Sequence, residues 1–419
     1  MARLLVLFVT AFVDMVGLAM IVPLLPYYAQ EFGASALVVG LLISAFSLAQ
    51  LACAPVWGRF SDRYGRRPAI LAGLVIAAVA YGVFAAAGNL WLLLLSRVVQ
   101  GVGGGTIGVV QAYVADASPP EGRTKSLGWL SAVTSLGAVA GPAMGSALDT
   151  LGGRHAPGIG AAALSLAVAG FAWRFLRESH EARGSASPEK MVEPQSGRAA
   201  IARVVSHWRE PAARLIWIYA VGIGAFYGTI QTVPLLLGGR FGVTEHRIGY
   251  FIMYMGAVGV VARSLILGKL VDRMGEVRLA RLGIVLLAAG LAATGVARGG
   301  PLLLAGFTLM PLGTAFLFPC VTGMLSQAVT HAERGLYMGV QHTFGGVSRV
   351  AFPIGAGLLM DRFGLGVPFW GSALLVLVTL PLARPLVLPV RPEPAAAQAR
   401  AIARADITAE FPADVTGRR

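Results

Sequence analysis

Gly58-Arg-Phe-Ser-Asp62-Arg63-Tyr-Gly65-Arg66-Arg67 returns in the second half of the chain as Gly268-Lys-Leu-Val-Asp272-Arg273-Met-Gly275-Glu-Val-Arg278. Each copy sits in a short charged gap between two long apolar runs. A charged turn written once per half marks a duplicated bundle of membrane helices. Parallel repeats about an axis along the membrane normal are a transporter architecture. The duplication extends outward from these turns. Val22-Pro23-Leu24-Leu25 matches Val233-Pro234-Leu235-Leu236, and Phe32-Gly33 with Gly40 matches Phe241-Gly242 with Gly249. Arg123, Gly128 and Pro142 match Arg334, Gly339 and Pro353.

The 419 residues are 56% hydrophobic and 13% charged, against about 25% charge in a soluble domain. Lipid is therefore the solvent for most of the chain. A membrane-crossing helix needs roughly 20 mostly apolar residues. Twelve runs qualify: about 4–29, 36–57, 69–88, 90–115, 126–148, 158–177, 212–238, 246–268, 279–298, 301–329, 335–360 and 366–388. The expected fold is an all-α membrane protein, with two pseudo-symmetric six-helix halves at 1–177 and 212–388. Between them, 178–211 reads as a polar cytoplasmic linker, and 389–419 as a disordered cytoplasmic tail. The first apolar run is too long for a signal-peptide core.

The formal charge of +14 does not point to nucleic acid, because the basic residues collect in loops on one side. Arg59, Arg63, Arg66 and Arg67 lie in one such loop, and Lys269, Arg273, Arg278 and Arg281 in its repeat. Of the opposite loops, 30–35 and 88–90 hold no Lys or Arg, 149–157 holds Arg154, and 239–247 holds Arg240 and Arg247. The positive-inside rule then places both termini in the cytoplasm. Cys53 and Cys320 are too few and too isolated for a metal site or a disulfide framework. No nucleophile–base pair, phosphate loop or metal cluster suggests an enzyme.

Asp14 is the acidic residue well inside an apolar run. A charge there costs about 2.5–3.5 kcal/mol on insertion scales, so it must face a partner or a wet cavity, or carry a proton. A carboxyl that is alternately wet and dry is a proton carrier; the plainer alternative is an Asp that packs helices. Arg97 is deep enough to need a partner and stays charged. It can hold a carboxylate ionised until a proton displaces the pairing, or clamp helix carbonyls. Asp62 can face a helix N-terminus, and Arg66 can pair with Asp116 at the end of the fourth run. Gly58 and Gly65 are expected to shape a tight turn, with Arg63 and Arg67 in the same latch and Asp272, Arg273 and Gly275 as its degenerate copy. Gly137 and Gly141 share a helix face, so together with Gly128, Pro142 and Gly145 they form a close-packed, bendable seam between the halves. A midplane cavity is expected to draw on Gln111, Tyr113, Tyr227, Gln231, Tyr254, Gln341, His342 and Arg349, with Phe226 and Phe344 as apolar walls.

These motifs together resemble the major facilitator superfamily over essentially all twelve runs. The Gly58–Arg67 turn resembles the family signature between helices 2 and 3. Arg97-Val-Val-Gln-Gly101-Val-Gly-Gly-Gly105 resembles its helix 4 motif. Gly128, Gly137, Gly141-Pro142 and Gly145 resemble the antiporter motif of drug:proton exporters, with Ser146 where a second glycine is usual. Asp14, Gly17, Pro23 and Pro26 resemble the branch that includes tetracycline exporters. The runs at 69–88 and 279–298 lack the acidic residues those exporters carry, which points away from tetracycline itself.

The resemblance implies a monomeric inner-membrane exporter of small amphipathic compounds. It would use the proton as coupling ion and need no cofactor, with Arg97 coupling protonation to conformation and the latch holding the outward-facing state. A metabolite or sugar transporter of the same fold is the alternative, and a non-transporting membrane receptor a more distant one.

Overall fold

The structure, a computed structural model, describes residues 2–118, 122–176, 178, 197–330 and 333–383. Every described element is helical. Among the described residues eleven helical stretches are long and apolar enough to cross a bilayer, and the shorter apolar helix Val367–Ala383 follows them. The expected tail at 389–419 lies outside the described residues.

The first span is two helices, α1 (Ala2–Ile21) and α2 (Leu25–Glu31). Its repeat is α10 (Pro211–Ile230) and α11 (Val233–Phe241). The matched Val-Pro-Leu-Leu segments fall at both breaks. Proline lacks an N–H and fits best in the first turn of a helix, where that donor has no intrahelical partner; Pro26 and Pro234 hold that place. The remaining spans of the first half are α3 (Ala36–Tyr64), α4 (Arg66–Ala85), α5 (Leu90–Gly104) with α6 (Ile107–Asp116), α7 (Arg123–Gly152) and α8 (Ala156–Phe175). Those of the second half are α12 (Glu245–Val261) with α13 (Leu267–Met274), α14 (Glu276–Val296), α15 (Gly300–Ala328), α16 (Arg334–Phe363) and α17 (Val367–Val378). A five-residue π segment, Ala262–Ile266, joins α12 to α13 and carries Arg263.

Two expectations change here. The charged gap at 57–68 is mostly helix: α3 runs to Tyr64 and α4 starts at Arg66. Gly65 alone makes the turn, with φ +100°, and Gly275 repeats it with φ +76°. Both lie in the left-handed region that favours glycine. Gly58 sits inside α3 and a Cβ there would meet no neighbouring element, so it shapes no turn. The stretch at 178–211 is not linker throughout, because Gly197–Ser206 forms α9 and buries Ala200 and Val204.

The halves meet along two seams, α3 with α16 and α7 with α12. The matched residues of the sequence repeat meet there. A Cβ on Gly249 of α12 would overlap the Pro142 carbonyl oxygen of α7, and one on Gly40 of α3 would overlap that of Pro353 on α16. Glycine against a proline carbonyl is thus written twice, once per seam. The loops at Gly65 and Gly275 define an arginine side of the molecule, and the opposite end is its far side.

Candidate functional site

Asp14 is half-buried on α1 and lines a cavity of about 620 Å³. The wall comes from the arginine-side parts of α1, α4, α6 and α7. Thr10, Thr106, Gln111, Ser131 and Thr134 supply polar groups, and Ile70, Leu74 and Leu130 apolar surface. Asp14 and Gln111 therefore share one chamber inside the first half.

Arg97 is 2% exposed and lies over the Phe84 ring, 5.4 Å from its centroid. Among the described residues its Nε and Nη2 have no hydrogen-bond partner, and Gln100, one turn on, lies beside the Tyr81 hydroxyl. The expected carboxylate pairing is absent: neither Arg97 nor Asp14 forms an ion pair among the described residues. Tyr81 of α4, fully buried, lies within electrostatic reach of both. Its ring packs against Gly17, one turn from Asp14; a Cβ there would come within 3.2 Å of the ring. Tyr81 is the residue that sequence reasoning missed. A lone Tyr in an apolar run carries no signal until helix packing places it between two charges.

At the arginine-side turn, Arg66 Nη1 contacts Asp62 at 2.8 Å and Arg66 Nε contacts Asp116 at 3.3 Å. The guanidinium thus ties α4 to the ends of α3 and α6. Glu178, beyond α8, accepts from the Arg66 and Arg67 backbone N–H groups at 3.0 and 3.1 Å. These N–H groups open a helix and lack intrahelical partners, so a carboxylate there fits the dipole. Arg67 donates to the Trp173 carbonyl, whereas Arg63 only stacks over its neighbour Tyr64. The second copy differs. Asp272 and Arg273 form no ion pair among the described residues. Glu276 replaces the pivot arginine and accepts a hydrogen bond from Gln327 at 3.2 Å.

The α7 glycines work differently from expectation. A Cβ on Gly137 would come within 2.7 Å of the Phe12 carbonyl oxygen, and one on Gly141 within 2.6 Å of the Ala19 Cβ. One on Gly145 would overlap the Met20 carbonyl oxygen. These residues seat α7 on α1 within one half. Gly128 is exposed and touches nothing. The face of α7 turned to the other half carries Val139, Pro142 and Ser146. Ser146 Oγ donates to the Glu245 carbonyl at 2.7 Å and accepts from the Gly249 N–H at 3.0 Å. A second glycine could make neither bond.

The other expected cavity residues scatter. Arg349 lies over the Tyr227 ring at 5.8 Å, and His342 is within its electrostatic reach. Phe226 meets Tyr227 edge-on, as Phe344 meets Trp217. Gln231 is half-buried at the end of α10. Three others turn away. Tyr113 is fully buried in the core of the first half. Gln341, 1% exposed, pairs with Thr322 of α15. Tyr254 hydrogen-bonds Thr308 at 2.8 Å and faces a separate, mostly apolar pocket between α12 and α15.

The cross-half hydrogen bonds lie from the middle of the molecule to its far side. Asp361 at the end of α16 accepts from the Ala36 and Leu37 N–H groups, both at 2.9 Å. Ser44 Oγ donates to the Val350 carbonyl at 2.6 Å and Tyr27 Oη to that of Val243 at 2.9 Å. Together with Ser146 these bonds seal the far side.

A family model described as Major Facilitator Superfamily matches residues 7–294 and 257–413. The tetracycline resistance protein, class G, of Vibrio anguillarum is 29% identical over 379 residues, covering 88% of this chain and 94% of that protein. Multidrug resistance protein 2 of Bacillus subtilis (strain 168) is 28% identical over 381 residues, covering 88% and 92%. Among solved structures, the human organic anion transporter MFSD10 (TETRAN) aligns with TM-score 0.67 and 24% identity over 91% of this chain and 99% of that one. A bacterial homolog of the human lysosomal transporter Spinster, inward-facing and occupied, aligns with TM-score 0.74 and 15% identity over 91% and 95%.

Proposed function

Because this chain belongs to the major facilitator superfamily, and is thus a multi-pass secondary transporter of small molecules, we propose that it moves a small organic solute by alternating access. The family and the fold reach that far. Carriage of a metabolite or similar solute needs nothing beyond them and a polar chamber, so we place this reading ahead of the narrower one. The narrower proposal is export of an amphipathic compound in exchange for protons, by a monomer in an inner membrane. Its termini and arginine side would be cytoplasmic, and it would use no cofactor.

One observation carries the proton proposal: Asp14 faces a chamber of about 620 Å³. A carboxyl in a chamber that opens and closes exchanges its proton with whichever side is wet. Tyr81 lies within electrostatic reach of Asp14 and of Arg97, a link through which Arg97 would respond to the change of charge. The tetracycline and multidrug relatives support exporter chemistry in kind. The driving force is adequate, at about 2.3 kcal/mol per charge per 100 mV against about 1.4 kcal/mol per tenfold gradient. With its far side sealed, the structure fits the inward-facing state of such a cycle. Arg66, Asp62 and Asp116 meet in that state and all lie in the first half, so in place of the expected latch on the outward-facing state they would stiffen the arginine-side turn.

The test is proton movement in proteoliposomes under an imposed pH gradient, scanning drugs and metabolites, with Asp14→Asn alongside. Solute-dependent proton movement that vanishes in the variant supports the narrower reading. Solute equilibration with no proton movement leaves a facilitator for organic solutes and removes proton exchange. Equal proton movement in Asp14→Asn removes Asp14 from the role.

A further inference from the structure

We propose that Asp149, Glu245 and His246 form a far-side binding site for a borderline divalent cation, Zn²⁺ in chemical type, that clamps the α7–α12 seam shut. Asp149 ends the far-side part of α7; Glu245 and His246 begin α12 in the other half. One ligand atom from each residue can be chosen so that all three lie within 4.8 Å of one another. Imidazole nitrogen with carboxylate oxygens is a donor set that Zn²⁺ accepts, with a fourth position left to water.

The second observation is the state of Asp149 itself. Its side chain is 2% exposed. Tyr28 donates to Oδ1 at 2.6 Å, which fixes the carboxylate, yet Oδ2 is buried without a hydrogen bond. The His246 Nδ1 lies 2.7 Å from Oδ2, but outside hydrogen-bonding geometry. A buried carboxylate oxygen facing an imidazole nitrogen without a properly aimed hydrogen is what a shared cation resolves. The other seam sharpens the contrast. There the comparably placed Asp361 satisfies both oxygens with the Ala36 and Leu37 N–H groups, and an ion would add nothing.

The surroundings suit an ion of this charge. Glu245 Oε1 is 3.7 Å from His246 Nε2, so the second carboxylate also lies within reach of an ion held at the imidazole. The nearby cation, Arg154, is occupied by Glu31 at 3.2 Å and by the Phe32 ring. His246 is half-exposed, which gives the ion an entry route. An ion that binds only when the seam is closed stabilises that state by mass action. The site would therefore inhibit cycling from the far side, whatever the solute.

Isothermal titration of Zn²⁺ into the purified full chain, with hydrogen–deuterium exchange over 244–250, tests this. The expected result is one ion per chain, at least tenfold weaker binding in His246→Ala and in Glu245→Gln, and slower exchange over 244–250 with Zn²⁺ in the wild type alone. Binding that is equal in both variants, or absent up to millimolar Zn²⁺, overturns the site. Binding lost in the variants but without slower exchange overturns the clamp. Both substituted side chains are half-exposed or near it, so the variants are expected to fold; matching melting temperatures without zinc check this.

Discussion

Arg97 is the side chain whose environment is least like its chemistry: a guanidinium 2% exposed, with Nε and Nη2 unpartnered among the described residues. A buried charge of this kind seldom adds to stability, and replacement by an apolar side chain of similar volume is often neutral or stabilising. Arg97→Met is therefore expected to leave the melting temperature equal or higher, while solute-dependent proton movement falls at least tenfold. Loss of folding with loss of activity would instead make Arg97 a structural clamp. Tyr81→Phe keeps the ring against Gly17 and removes the hydroxyl, so it is expected to shift the pH profile of transport without a comparable loss of stability. At this scale the sequence is only partly readable. Asp14 and Arg97 stand out because charge in lipid is costly. Tyr113, Gln341 and Tyr254 looked like cavity residues, yet they satisfy themselves in packing and local hydrogen bonds. Polarity alone does not tell which face of its helix a residue occupies.

Helices carry the next layer of the account. α7 holds small residues on one face for α1 and Pro142 with Ser146 on another for α12. Gly249→Val would drive a side chain into the Pro142 carbonyl and the Ser146 hydroxyl. It is expected to stop closure of the far side while each half keeps its own packing. The check is a transport rate near zero beside retained helical circular dichroism; normal transport would refute the seam. Asp361→Ala removes a carboxylate that caps α3 from the other half, which costs about 1 kcal/mol for a cap of this kind. All of that cost falls on the closed far side, so faster exchange at Ala36 and Leu37 is the expected sign. Arg66→Ala should cost little stability, about 0–1 kcal/mol for a pair this exposed, and should act on transport instead. The glycine spacing in α7 was legible as a close-packing motif, but not its partner. Gly58 was misread as a turn because helix α3 outlasts the apolar run by a full charged segment.

For the whole molecule, the repeat in the sequence is the pair of seams in the structure: Pro142 with Gly249, Pro353 with Gly40. Duplication of the fold was readable for that reason, since a two-fold relation needs the same residues on both sides. The asymmetries were not readable, because they depend on which side chain each copy finds: Arg66 with two acids but Glu276 with Gln327, Asp361 with two amides but Asp149 with His246. Helix α9 was also hidden, its short amphipathic pattern lying within a polar stretch. Secondary transport through a far side and an arginine side that open in turn, set by the charge on Asp14, is the central claim. Spin-label distances on one helix pair test it most directly, with Cys53 and Cys320 replaced by alanine. One pair, Leu151 with Arg247, reports the far end of the α7–α12 seam, and the other, Lys125 with Lys269, the arginine-side end. The account predicts that moving from pH 8.5 to pH 5 changes the two distances in opposite directions, and that Asp14→Asn abolishes the response. Distances that ignore pH, or that respond equally in the variant, would contradict it.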